Sequence, residues 1–208
     1  ASVPVTASVP LEVDDEPCVV LLSSTGLLAR TAPIAPSDID PGQRAQHDVI
    51  ISGCAAMTRG DIGVVTSAGR VMRLSVLELP NMPPVHGTPA LNAGAPVSAF
   101  LDLPSGEQAL ALTTLDETGG LLLVTAQGKV KRVVADAVTK PSWEVIRLDD
   151  GDVVVGATRL DDATAEVSDV VIVTSDAQVL RFPATAVRPT GRAAGGMAGI
   201  KLAAGASV

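Results

Sequence analysis

Val64-Val65-Thr66-Ser67-Ala68-Gly69-Arg70-Val71-Met72-Arg73 runs from two apolar residues through a polar step to a glycine and then a closing arginine four places on. The same phrase stands at Leu21 to Arg30 (LLSSTGLLAR), at Leu123 to Arg132 (LVTAQGKVKR) and at Ile172 to Arg181 (IVTSDAQVLR), where Ala177 replaces the glycine. An apolar run, a turn whose glycine takes positive φ without steric cost, and a returning run make a β-hairpin. The closing residues Arg30, Arg73, Arg132 and Arg181 lie 43, 59 and 49 residues apart. That is the period of a propeller or solenoid.

Further strands are expected around each hairpin: 49–53 after the first, 95–103 and 108–115 after the second, 143–148 and 152–158 after the third. Prolines, glycines and aspartates separate them at turn positions. Helix signals are nearly absent, and the inner runs are continuously apolar, as in strands covered on both faces. The expectation is an all-β chain of four propeller-like blades of about four strands each, over 17–59, 60–117, 118–165 and 166–208. The last blade is expected to be cut short, and residues 1–16 read as a linker.

Composition narrows the chemistry. A chain of 208 residues, 47% hydrophobic with mean hydropathy +0.38, buries a sizeable core. No apolar run is long enough to span a bilayer, and ASVPVTASVP lacks the basic start and apolar centre of a signal peptide. Cys18 and Cys54 have neither metal nor redox spacing and read as buried free thiols in a reducing cytoplasm. There is no tyrosine, and His47 and His86 are the only histidines, so a catalytic triad or a His-rich metal site has almost nothing to be built from. The chain by itself reads as a non-enzyme with no cofactor and no metal.

The net charge of −8 argues against a nucleic-acid partner, but the charge is unevenly placed. Residues 149–169 hold seven acids and only Arg159, whereas from Ala177 onward there are no acids and four cations, Arg181, Arg188, Arg192 and Lys201.

Within that basic stretch, Val187 to Leu202 (VRPTGRAAGGMAGIKL) resembles the V-R-x-x-G-R-x-x-x-G-V-x-G-I-K-L segment in the C-terminal domain of the bacterial gyrase A subunit or of its paralogue in topoisomerase IV. Ile146 to Asp152 (IRLDDGD) is similar to a strand and turn of the same blades. With the fourfold hairpin, the resemblance covers about residues 17–202. It implies a β-pinwheel, in which blades exchange strands, with a basic outer rim that binds and bends duplex DNA without sequence preference. It also implies a cytoplasmic, nucleoid-associated parent: an ATP-dependent type II topoisomerase whose cleavage tyrosine, ATP and Mg belong to other parts. The implied partners are DNA, the N-terminal part of the same polypeptide and the ATPase subunit, with no membrane.

In gyrases, one loop of the first blade carries Q-R-R-G-G-K-G. The matching loop here is Gln43-Arg44-Ala45-Gln46-His47-Asp48-Val49, which keeps only the first two residues. The resemblance therefore points to topoisomerase IV ahead of a gyrase with a degenerate box. The alternative of another class is a propeller scaffold for protein partners, favoured by the net charge and the acidic 149–169 segment.

Candidate phosphate contacts are Arg30, Arg70, Arg73, Lys129, Lys131, Arg132, Arg181, Arg188, Arg192 and Lys201. The closing arginines read equally well as guards of strand edges or as side chains laid over the blade face. Gly26, Gly69 and Gly128 read as turn residues, and Trp143 as core.

Overall fold

Each copy of the repeated phrase folds as an antiparallel hairpin. The strands, numbered along the chain, are β1 (Pro17–Ser23) with β2 (Leu27–Thr31), β4 (Asp61–Thr66) with β5 (Arg70–Ser75), β9 (Leu121–Thr125) with β10 (Lys129–Val133), and β13 (Asp169–Val173) with β14 (Val179–Pro183). The structure is a computed structural model that describes residues 13–33, 48–83, 91–116, 120–134 and 136–208. The turns have left-handed φ at Gly26, Gly69 and Gly128, and Ala177 takes φ 63° at the same place. Alanine there is strained, because its Cβ crowds the neighbouring carbonyl.

Outside each of the first three hairpins a third strand pairs with the inner one: β3 (Ile50–Met57) with β1, β8 (Ala109–Thr113) with β4, and β12 (Val154–Arg159) with β9. The fourth strand comes from the following repeat. β6 (Asn81–Met82), just after the second hairpin, lies parallel to β2 of the first. β11 (Ser142–Glu144), after the third hairpin, pairs with β5 of the second, and β15 (Pro189–Thr190), after the fourth, pairs with β10 of the third. Two short returns, β7 (Ala95–Pro96) and β16 (Met197–Ala198), lie against β2 and β10. The chain is a β-pinwheel-type array with sheets of five, four, five and two strands among the described residues.

Two expectations need correction. Residues 95–103 are no outer strand: β7 gives way to a 3-10 turn at Val97–Ala99, and the edge position belongs to β8. Of the strand expected at 143–148 only 143–144 is strand, as part of β11. The fourth sheet holds two strands among the described residues. Ser175 N donates to Ser207 O, as Ser24 N does to Val49 O in the first repeat.

The core lies between neighbouring hairpins. Val20, Leu22 and Leu28 pack with Ile62, Val64 and Leu74 of the next; Val65 and Val71 pack with Leu121, Leu123 and Val133; Leu122 and Val130 pack with Val170 and Ile172. Hence the inner strands are apolar on both faces in the first three blades, whereas β13 alternates, with Val171 and Val173 exposed. Cys18 and Cys54 are free and buried in the first cluster, and burial pushes the Cys54 thiol up to about 11. The acidic stretch holds one short helix, α1 (Asp162–Glu166), capped where Asp161 Oδ1 accepts from Thr164 N at 2.7 Å. At the N-terminal side, Asp14 and Glu16 are tied by backbone to the Thr58 hydroxyl at 2.6 and 2.9 Å.

Candidate nucleic-acid interface

Strand exchange fixes where the cations go. Arg30 N donates to Pro80 O at 2.9 Å, and Arg73 N to Pro141 O at 2.8 Å, while Arg132 stands opposite Pro189. Each closing arginine of the first three hairpins therefore sits beside a strand lent by the next blade. The turn carbonyls are covered in the same way: Gly26 O accepts from Val97 N, Gly69 O from Val145 N and Ile146 N, and Gly128 O from Gly199 N and Ile200 N.

The last two coverings share a sequence. Ile146-Arg147-Leu148 is laid over the Gly69 turn and Ile200-Lys201-Leu202 over the Gly128 turn, each with isoleucine and leucine side chains against the glycine. The middle residue faces outward. Arg147 and Lys201 are exposed and make no side-chain hydrogen bond or ion pair among the described residues. Arg188, ahead of β15, is likewise exposed and unpaired among them.

The other candidates are engaged. Arg70 forms a bidentate pair with Glu107, both contacts at 2.7 Å, which holds that carboxyl below its ordinary range. Arg73 pairs with Asp61 at 2.8 Å and also donates to Val138 O. Arg181 pairs with Asp169, Lys129 with Asp149, Arg132 with Asp162, and Arg192 with Asp136. Arg30 Nε donates to Leu79 O at 3.3 Å.

Asp61 and Asp169 occupy the same place in their repeats, twelve residues before the closing arginine. There the inner strand begins, diagonally across the hairpin from the guanidinium. In the third repeat this place is Gly120, where a Cβ would lie 2.7 Å from Leu160 O. No carboxylate fits, and α1 supplies Asp162 instead.

Lys131 is 2% exposed, and its ammonium donates to Arg192 O at 2.8 Å and Ala194 O at 2.5 Å. It faces the exchanged segment rather than solvent. Burial lowers its pKa to about 8, whereas an unfolded lysine titrates near 10.4. Between those values the unfolded chain binds more protons than the native one, so this group makes stability rise with pH from about 8 to about 10.4. Thermal unfolding of the native protein and Lys131→Met across pH 7 to 10 is expected to show the native melting temperature gaining on the variant above pH 8. Parallel profiles would contradict this assignment.

Trp143 is half-buried. It packs against the second core cluster and lines an open cleft with Lys140, Gly191 and Arg192. The gyrase-type loop at Gln43 to His47 lies outside the described residues, as do His47 and His86. No group of three or more His, Cys, Asp or Glu that could hold a metal occurs among the described residues. None of their helices is long and apolar enough to cross a membrane. Arg147 was missed in the sequence, although its neighbours Ile146 and Leu148 repeat those of Lys201.

Comparison with known proteins fits this geometry. The sequence matches the family described as DNA gyrase C-terminal domain, beta-propeller, over residues 61–94, 121–161 and 168–208. The chain belongs to that family. Among curated relatives of this gyrase-type domain, the DNA gyrase A subunit of Chlamydia pneumoniae is 31% identical over 155 residues. That match takes in 71% of the chain but 18% of the relative. The chain thus spans less than a fifth of the curated relatives it matches. Among solved structures, the C-terminal domain of DNA topoisomerase IV aligns with TM-score 0.71 at 20% identity, over 94% of this chain and 60% of the other. The DNA gyrase A C-terminal domain aligns with TM-score 0.56 at 22% identity, over 92% and 63%. These likenesses establish the β-pinwheel fold.

Proposed function

We propose that this domain binds duplex DNA through phosphate contacts on its outer rim and bends it, as an accessory domain of a bacterial type II topoisomerase. The observation that carries the reading is the pair of matched segments at 146–148 and 200–202, which hold Arg147 and Lys201 outward over successive hairpin turns, unpaired among the described residues. A cation repeated over two successive turns suits a ligand with repeated charge. Arg188 extends the set, and Arg192 and Lys129 join it where phosphate displaces their carboxylates. Such contacts position DNA without reading its bases. A moderate bend costs roughly 1 to 6 kcal/mol, which a handful of phosphate contacts offsets.

Affinity for a mixed-sequence duplex, followed by fluorescence anisotropy over a salt series, is expected to be independent of sequence. It should fall by about 0.9 log units per log unit of salt for each phosphate neutralised. No binding by the intact chain at low salt sinks the reading.

Within the family, the departures at Ala45 to Val49 from the gyrase loop favour topoisomerase IV, since the close backbone approach of glycines and the lysine charge are both missing. The gyrase reading is favoured instead by the 31% identity to a gyrase polypeptide. Ligation of nicked plasmid with the domain present separates the two: a positive shift in linking number means gyrase-type wrapping. In either reading the parent enzyme supplies the ATP-dependent chemistry and the partner subunit.

A further inference from the structure

We infer that Asp61 and Asp169 set the DNA affinity of the rim by occupying Arg73 and Arg181, so that carboxylate and phosphate compete for the same guanidinium. The inference rests on the DNA-binding reading above.

Two of the four repeats place an aspartate at the first residue of the inner strand, diagonally across from the closing arginine, and both form the ion pair. The third repeat cannot take a side chain at that place, and its arginine finds Asp162 from another element. A carboxylate for the closing arginine is thus kept by two different routes. None of these pairs is sealed in the core: the Asp61, Asp162 and Asp169 side chains are 40%, 98% and 31% exposed. An exposed ion pair contributes little to stability because water screens it. It can still hold a guanidinium that a phosphate oxygen would otherwise take, at the distance where charge-assisted hydrogen bonds form.

The two pairs differ in a way that orders their effects. The Arg181 side chain is 73% exposed, and both its Nε and a terminal nitrogen are bound by one oxygen of Asp169. Releasing Asp169 therefore frees the whole group toward solvent. The Arg73 side chain is 27% exposed and stays attached to Val138 O when Asp61 is neutralised. Asp169→Asn is expected to act more strongly than Asp61→Asn.

The test is a double-mutant cycle in DNA affinity at fixed low salt, using the full chain and a mixed-sequence duplex. Asp169→Asn should tighten binding roughly two- to fivefold and steepen the salt dependence by about 0.9 for one added phosphate contact. The gain should vanish in the Arg181→Gln background. Glu78→Gln, which removes an exposed acid with no ion pair among the described residues, should leave affinity nearly unchanged.

A gain at Asp169→Asn that survives Arg181→Gln, or an equal gain at Glu78→Gln, shows that only overall charge matters and overturns the inference. So does unchanged affinity in Asp169→Asn while the native chain binds. If the native chain does not bind at all, the DNA reading fails first and takes this inference with it. Melting temperatures of all variants, measured alongside, show that each binding value comes from folded protein.

Discussion

Gly69→Ala is expected to lower stability by about 3 kcal/mol, whereas Gly26→Ala, at the same turn of another repeat, costs only about 1. Both glycines have left-handed φ, 72° and 80°, so an L side chain meets the same backbone strain at each. The difference lies in what covers the turn. A Cβ on Gly69 would lie 2.5 Å from Ile146 Cγ2, in the segment that donates two backbone hydrogen bonds to the Gly69 carbonyl. On Gly26 it would meet nothing within 4 Å. Alanine at Gly69 must therefore lift the covering segment, while at Gly26 it strains only itself. Ala177→Gly, which relieves φ 63° in the fourth repeat, should move the other way, by about 1 kcal/mol. Denaturant titrations of the three variants decide the matter. Equal losses at Gly69 and Gly26 would mean that the covering segment yields freely and does not clamp the turn.

Replacing Arg147 and Lys201 together by glutamine is expected to weaken DNA binding by about tenfold or more at 0.1 M salt and to reduce the salt slope by about 2, one unit for each lost phosphate contact. Stability should stay within about 0.5 kcal/mol of the native protein, because both side chains are exposed and bound to nothing among the described residues. Arg70→Gln should show the opposite profile. Arg70 is committed to Glu107, whose side chain is only 7% exposed, so its loss strands a poorly solvated carboxylate and lowers stability more than affinity. Anisotropy titrations with thermal melts on the same samples separate the two behaviours. If Arg70→Gln costs more DNA affinity than the double variant, the track runs along the hairpins and not over the turns.

The hairpins were legible because their signal is local: a turn glycine four residues before an arginine can be found by eye in three copies, and Ala177 in the fourth keeps the spacing. The exchanged strands were not, because β6, β11 and β15 are two or three residues long and take their partners from another blade. A mark for them does exist. Pro80, Pro141 and Pro189 follow the closing arginines by seven, nine and eight residues, the first two just before the lent strand and the third at its first residue.

Lys131 had a signal too, since the residue before the closing arginine is Ala29, Met72 and Leu180 in the other copies, all apolar. A lysine at an apolar position of a repeat points inward, and its charge is met by the carbonyls of Arg192 and Ala194. The ion pairs of Arg73 and Arg181 were foreshadowed by aspartates twelve residues upstream. By contrast, Asp162 reaches Arg132 only through α1, a five-residue helix too short to leave a periodic pattern.

The lent strands make each blade the hostage of its successor. In a simple stack of repeats, one unit can open and leave its neighbour's sheet whole. Here the melting of the second hairpin withdraws Asn81–Met82 from the first sheet, and the melting of the fourth withdraws Pro189–Thr190 from the third. Damage therefore spreads toward the N-terminal end, against the direction of the chain. A protease that nicks the link between a hairpin and its lent strand cuts the chain without parting the blades, so the fragments should travel together until denaturant is added.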